Sequence, residues 1–205
     1  MDGDEALFSA WRAGDARAGA ELFERHYAAI ARFFRNKVDS DAPDLIQRTF
    51  LGCIEGHERV RGESTFRTYL FAVAHNVLYK HFRTRARAGA PIDFSVTSAH
   101  DLRPSATALL ARRGEEQALL QALRRIPLEH QETLELYFWE HLTAREMAEI
   151  QAVPEGTIRT RLRRAKQLLE QALARVAGSP AELHDTLANL DAWASSVRAQ
   201  VAGRA

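Results

Sequence analysis

Thr143-Ala144-Arg145-Glu146-Met147-Ala148-Glu149-Ile150 runs into Gln151-Ala152-Val153 and then into Pro154-Glu155-Gly156-Thr157-Ile158-Arg159. This is the layout of a helix, a tight turn and a second helix. Met147, Ala148 and Ile150 can pack the first helix inward, and the small Ala148 lets the second cross it closely. Val153 belongs in the core, and Ile158, Leu162, Ala165 and Leu169 mark the buried side of the second helix. Thr157, Arg159, Thr160, Arg161, Arg163, Arg164 and Lys166 are then left to face outward. A helix fits the DNA major groove, where arginine bonds guanine in bidentate fashion, and the remaining cations meet phosphates. The competing reading is a plain four-helix packing unit with a basic face. The spacing and the density of arginine argue against it.

Outward from this stretch, helical periodicity dominates and strand signals are nearly absent. Helices are expected over 6–11, 20–38, from a cap at Asp41 through about 54, and over 66–87. In the second half they are expected from about 106 or 115 to 125, over 129–139, 143–150 and 154–176. Leu22, Phe23, Tyr27, Ile30, Phe33 and Phe34 supply one buried side, and Leu45, Ile46, Phe50, Leu51 and Ile54 another. On the 66–87 helix Phe66, Leu70, Val73, Val77 and Leu78 turn inward, with Phe71, Tyr79 and Phe82 flanking. Residues 88–105 hold Gly89, Pro91, Pro104 and several Ser and Thr, and read as a flexible linker. The fold class is all-α: two small helical domains, 1–87 and 106–177, joined by that linker and followed by an extension, 178–205. In the extension, Ser179 and Glu182 form a capping box. Leu183, Leu187, Leu190, Ala194, Val197 and Val201, with Trp193 beside them, then make an amphipathic helix. It packs on one of the chain's own domains, clamps the two together, or offers a regulator a docking face.

The 205 residues are 46% hydrophobic and 27% charged, the balance of a globular chain, with a net charge of +1. The acidic start and the lack of a long apolar run point to a cytoplasmic protein without membrane insertion. The charge is unevenly placed. Arg61, Arg67, Lys80, Arg83, Arg85 and Arg87 form one basic segment, and Arg159 to Arg175 holds a second. Two such segments suit two contacts with a polyanion. Catalytic constellations are missing: the eight histidines are scattered, with no zinc-binding pair, phosphate-cradling loop or serine elbow. The single cysteine, Cys53, reads as a small core hydrophobe. Neither an enzyme, a metal site nor a cofactor is expected.

Further residues carry a resemblance. Leu22-Phe23-Glu24-Arg25-His26-Tyr27, Asp44-Leu45-Ile46-Gln47-Arg48-Thr49-Phe50, Phe66-Arg67-Thr68-Tyr69-Leu70-Phe71-Ala72-Val73-Ala74-His75-Asn76 and Leu123-Arg124-Arg125-Ile126-Pro127 precede the helix-turn-helix in that order. The chain resembles the extracytoplasmic-function group of bacterial RNA polymerase sigma factors over about 22–173. The resemblance implies a promoter-specificity subunit whose partners are core RNA polymerase and promoter DNA. It implies polymerase contacts at Asp44, Gln47, Arg48 and Phe50, although Arg48 stands where the family usually has an acid. It also implies a minus-10 loop and helix, with Arg61, Glu63, Ser64, Thr65, Tyr69, Asn76, Lys80 and Arg83 as contacts. Edge hydrogen bonds, stacking and cations are what single-stranded bases require; for Tyr69, core packing competes with that role. Minus-35 contacts then fall on the second helix of the helix-turn-helix. The turn departs from the family's Leu-Gly-Val, and alanine where φ is often positive implies strain of order 1 kcal/mol. An anti-sigma partner is common in the family, and nothing in the sequence identifies one. The alternatives are a helix-turn-helix regulator acting without polymerase and an adaptor that has lost DNA contact.

Overall fold

The computed structural model describes residues 2–38, 40–57, 64–85, 91–102 and 115–175. Within them lie nine helices and no strand: α1 (Asp2–Arg12), α2 (Ala16–Arg35), α3 (Ala42–Gly56), α4 (Phe66–Arg85), α5 (Ala99–Leu102), α6 (Glu115–Arg125), α7 (Leu128–Phe138), α8 (Ala144–Ile150) and α9 (Glu155–Ala174). The expected C-terminal helix lies outside the described residues.

The joint between α1 and α2 is made by two adjacent residues. Gly14 takes a φ of 103°, which a side chain would resist, and turns the chain out of α1. Asp15 then caps α2, accepting from the amides of Arg17 at 2.9 Å and Ala18 at 3.3 Å. The two helices close tightly because Gly19 has no Cβ: one built there would sit 2.5 Å from Nε1 of Trp11. Trp11 in turn stacks on His57 at 4.2 Å and meets Phe23 edge-on at 5.2 Å.

Asp41 does not cap α3 as expected. Its carboxylate is drawn to the end of α4, 3.0 Å from Arg85 and 3.4 Å from His81, which leaves no geometry for a cap bond. Leu45, Ile46, Thr49 and Cys53 form the buried stripe of α3, while Leu51 and Ile54 point outward at about half exposure. Tyr27 is likewise 46% exposed rather than buried. On α4 the expected stripe is also displaced. Phe66, Leu70, Phe71, Ala74, Leu78, Tyr79 and Phe82 are buried and Val73 and Val77 only half so. The helix is covered on two sides, by α3 and by α8, and a helix apolar nearly all round is one that other elements enclose.

Part of the expected flexible linker is folded. Within 91–102, Phe94 is buried and meets Tyr79 edge-on at 4.6 Å. The amide of Leu128 donates to the carbonyl of Thr97 at 3.0 Å, and Ser98 pairs with Pro127 in an isolated antiparallel bridge. Ser98 and Asp101 cap the single turn of α5 reciprocally. An aromatic anchor and backbone pairing offset the entropy that a free linker would retain.

The hydrophobic core does not divide at the linker either. One cluster holds the side chains of α1 to α4 together with Leu128, Leu136, Leu142, Met147, Ile150 and Ile158. A second, Leu119, Leu123, Ile126, Leu134, Phe138, Trp139, Ala165, Leu169 and Leu173 among them, lies among α6, α7, the turns before and after α7, and α9. The first half and the helix-turn-helix thus share one apolar layer.

Candidate nucleic-acid interface

The helix-turn-helix begins with a capping box. Thr143 accepts from the amide of Glu146 at 3.3 Å, and Glu146 accepts from the amide of Thr143 at 2.7 Å. Met147 and Ile150 are buried as expected. At the turn Ala152 has a φ of 51°, the left-handed conformation that the resemblance implied for this position. The amide of Val153 then donates to the carbonyl of Ala148 at 3.1 Å, closing the turn, and α9 starts after Pro154.

On α9 the structure leaves Thr157, Arg159, Thr160, Arg163, Arg164 and Lys166 exposed. Arg159, Arg163 and Lys166, spaced 4 and 3 apart, lie along one stripe. Arg159 is tethered to Glu155 at 2.5 Å, and the ammonium of Lys166 sits 5.4 Å from the ring centre of Tyr137. Arg161 differs. It is folded inward, donating to Gln151 Oε1 and to Glu129 Oε2, each at 2.6 Å. Gln151 is itself buried and donates to Thr133 at 3.2 Å. Beside them, burial holds the imidazole of His130 down at about 4, and the charges of Arg161 and Arg164 push the same way.

Along α4, Asn76, Lys80 and Arg83 are exposed and, spaced 4 and 3, share a second stripe. Arg83 lies over the rings of Tyr79 and Phe94. Thr65 caps this helix, accepting from the amide of Thr68 at 3.2 Å, and Ser64 is half-buried beside it. Arg61 and Glu63 lie outside the described residues. Tyr69 is packed rather than presented: its hydroxyl donates to the carbonyl of Cys53 at 3.1 Å and its ring stacks near Phe8. Burial, with Cys53 adjacent, pushes its phenol up to about 12. Cys53 is fully buried, and burial likewise pushes its thiol up to about 12.

A third surface lies on α3. Asp44, Gln47 and Arg48 are exposed, with Asp44 and Arg48 paired at 2.9 Å. Phe50 is half-buried between Phe23 and Tyr27. Exposed Leu51, Ile54 and Tyr27 surround it, an apolar patch of the kind that serves a protein partner. Reading Leu51 and Ile54 as core hid this patch. The signal was present, since Gln47, Leu51 and Ile54 recur at 4 and 3 along the polar side of the helix.

These surfaces do not stand apart. α8 packs directly on α4, and acids of the second domain reach cations of the first. Glu140 receives Arg32 and Arg67, each at 2.8 Å, and Glu132 receives His75 at 2.9 Å and the hydroxyl of Tyr79 at 3.0 Å. Glu135 is paired with Lys37 and accepts from Asn36 at 3.1 Å. His75, expected at the surface or in a groove, is instead a hydrogen-bond partner of Glu132. Burial by itself would raise Glu132, yet His75, Lys37 and Tyr79 outweigh it and hold the carboxyl below its ordinary range. At Glu135 burial wins over Lys37 and the carboxyl is raised.

The family model for Sigma-70 region 2 matches residues 22–88, and that for Sigma-70, region 4 matches residues 116–169. The chain belongs to the sigma-70 family, in its extracytoplasmic-function group. The region 2 match takes in most of α2 with α3 and α4, and the region 4 match nearly all of α6 through most of α9. This sigma factor is 27% identical to the ECF RNA polymerase sigma-E factor of Haemophilus influenzae over 176 residues, covering 82% of this chain and 93% of the relative. It is 26% identical to the RNA polymerase sigma-H factor of Pseudomonas aeruginosa over 183 residues, covering 83% and 93%. Its fold is similar to that of CnrH, solved in complex with the cytosolic domain of CnrY, with a TM-score of 0.65 at 20% identity over 85% of this chain and 99% of the other. The sigma factor RpoE of Bartonella quintana, solved with the anti-sigma factor NepR, gives a TM-score of 0.59 at 22% identity over 76% and 96%. Among the described residues of this sigma factor, no helix is long and apolar enough to cross a membrane. No group of three or more His, Cys, Asp or Glu among them is placed to hold a metal.

Proposed function

We propose that this sigma factor binds core RNA polymerase through the exposed face of α2 and α3 and directs it to promoters read by α9 and α4. In this reading Gln47, Asp44 and Arg48 make the polar contacts to polymerase, and Phe50, Leu51 and Ile54 the apolar ones. Arg159, Thr160, Arg163 and Arg164 read the minus-35 element in the major groove, with Thr157 and Lys166 on the flanking backbone. Ser64, Thr65, Asn76, Lys80 and Arg83, with Arg61 and Glu63 of the loop, receive the melted minus-10 strand. Tyr69 positions α4 against α3. The chemistry of transcription is the polymerase's, and this chain supplies address and melting.

The observation that carries the reading is the pairing of a cation-lined recognition helix with an exposed apolar patch on a different domain. A regulator acting alone on duplex DNA has no use for the patch. Run-off transcription with bacterial core polymerase on a genomic promoter library tests it. Discrete start sites that require the protein, and are lost with Gln47→Ala or Arg163→Ala, are expected. A specific duplex shift without polymerase and no transcripts with it would overturn the reading in favour of the stand-alone regulator. The similar sigma factor RpoE, solved with the anti-sigma factor NepR, supports an anti-sigma factor as a third partner of this chain.

A further inference from the structure

Three carboxylates of the second domain are buried against the first. The side chains of Glu132, Glu135 and Glu140 are at most 6% exposed. Their partners are basic residues of the other domain: Arg32 in the last turn of α2, Lys37 just after that helix, and Arg67 and His75 on α4. The dependence is mutual. Among the described residues, every carboxylate contact of these four basic residues runs to α7 or to the turn after it, and none to an acid of their own domain. Among the described residues, Arg67 and Lys37 otherwise lie over the faces of Phe71 and Phe33, and Lys37 also donates to the carbonyl of Phe33.

A buried ion pair adds little net stability over apolar packing of the same volume, but it is intolerant of a missing partner. A contact built this way selects a complementary charge more than it glues, and another anion can take its place. The closed arrangement also conflicts with the promoter-binding reading, on which the present inference rests. Elements near minus-10 and minus-35 lie about two helical turns apart, roughly 70 Å, whereas α8 is seated directly on α4. The domains must part for both elements to be bound at once, and parting strands the cations Arg32, Lys37 and Arg67 together with His75.

We propose that Glu132, Glu135 and Glu140 are an internal stand-in for DNA phosphate. They hold the second domain closed over a cationic face, Arg32, Lys37, Arg67 and His75, which binds the DNA backbone once the domains part. This face is separate from the Asn76, Lys80 and Arg83 stripe and extends the DNA-contacting surface from α4 onto α2.

The test uses the full chain without polymerase. In the variant Glu132→Gln/Glu135→Gln/Glu140→Gln, side-chain volume is kept and charge removed. Interdomain distance is read between probes on Glu24→Cys and Gln171→Cys, both exposed sites, with Cys53 buried. Affinity is read on mixed-sequence 30-mers, duplex and single-stranded, as a function of salt. Expected are a longer distance, at least tenfold tighter binding in about 50 mM salt, and a salt slope steeper by about 2 to 4, since each phosphate neutralised contributes about 0.7 to 0.9. The duplex and single-strand arms say which form of DNA the face takes. Adding Arg32→Gln and Arg67→Gln should abolish most of the gain. Neutralising the exposed Glu5, Glu55 and Glu170 instead should leave the slope unchanged, which separates a local face from overall charge. An unchanged distance overturns the latch; a longer distance with an unchanged slope overturns the DNA face, and a polymerase contact would then be the face's remaining use. Should the triple variant lose its helical circular dichroism, Glu140→Gln alone carries the test, with a slope change of about 1 to 2 expected and no change overturning the proposal. Transcription by the unmodified chain is measured separately, so failure here and failure of the sigma reading give different results.

Discussion

Arg161 and Gln151 meet at 2.6 Å across the turn of the helix-turn-helix, the guanidinium of one donating to the buried amide oxygen of the other. Gln151 occupies a position where the family usually has leucine, and its amide gives Arg161 a reason to turn inward, where Glu129 completes the site. Of the seven residues expected as contacts on the recognition helix, six therefore face outward.

Arg161→Ala is expected to lower stability by about 3 kcal/mol, because it leaves Glu129 and Gln151 partly buried without their cation. Arg163→Ala should instead weaken promoter binding by about 1–3 kcal/mol and leave unfolding within about 0.5 kcal/mol. Urea unfolding and promoter binding measured on both variants would reverse these assignments if Arg161 proved the DNA contact.

Ala152 holds a φ of 51° that glycine adopts without strain. Ala152→Gly should stabilise the chain by about 0.5–1 kcal/mol after the entropy of glycine is subtracted. In thermal melting this is a rise of about 2 °C; a fall would mean the turn is not strained.

Leu51 and Ile54 are half exposed and bury little on folding. Leu51→Glu with Ile54→Glu should leave the melting temperature nearly unchanged and reduce affinity for core polymerase at least tenfold, about 1.4 kcal/mol. Equal affinity of the variant and the parent in a polymerase-binding titration would remove the patch from the docking surface.

His130, held at about 4 chiefly by burial, stays neutral in the folded chain while the unfolded chain takes up its proton near 6.5. Between those values the unfolded state binds more protons, so stability is fully present above about pH 6.5 and is lost as the pH falls towards 4. Glu132, held below its ordinary value, extends the loss at lower pH as the unfolded chain's carboxyl protonates first. Urea midpoints at pH 7, 5.5 and 4.5 should fall in that order, and His130→Gln should flatten the first step.

Gly19→Ala would drive a methyl group into the indole of Trp11, a rigid ring packed on His57 and Phe23. A cost of about 1–3 kcal/mol is expected, with a changed tryptophan emission. An unperturbed melt and spectrum would show that α1 can lift away at little cost.

The longer helices, their order and the turn of the helix-turn-helix were legible in the sequence, whereas the short α5 was not, and the left-handed residue in the turn was implied by the family resemblance. The helices and the turn are written in local signals: 3.6-residue periodicity, with Thr143 and Pro154 opening the two helices of the helix-turn-helix. The sequence also determined the outward stripe of α9, because the apolar positions Ile158, Ala165 and Leu169 fix the opposite face. Tertiary structure decided the rest. Periodicity names the apolar side of a helix but not how many neighbours cover it, so α4, enclosed by α3 and α8, buried more than its stripe, and α3 buried less. The linker's anchor, Phe94, is one aromatic in a stretch rich in breakers, and only its contact with Tyr79 distinguishes it from a loop residue. The pairing of Glu140 with Arg32 and Arg67 joins residues about a hundred and about seventy positions apart. Charge partners at such separation leave no pattern in one chain, since any exposed acid has the same composition as a buried one. Only the folded path of α7 against α2 and α4 brings them together.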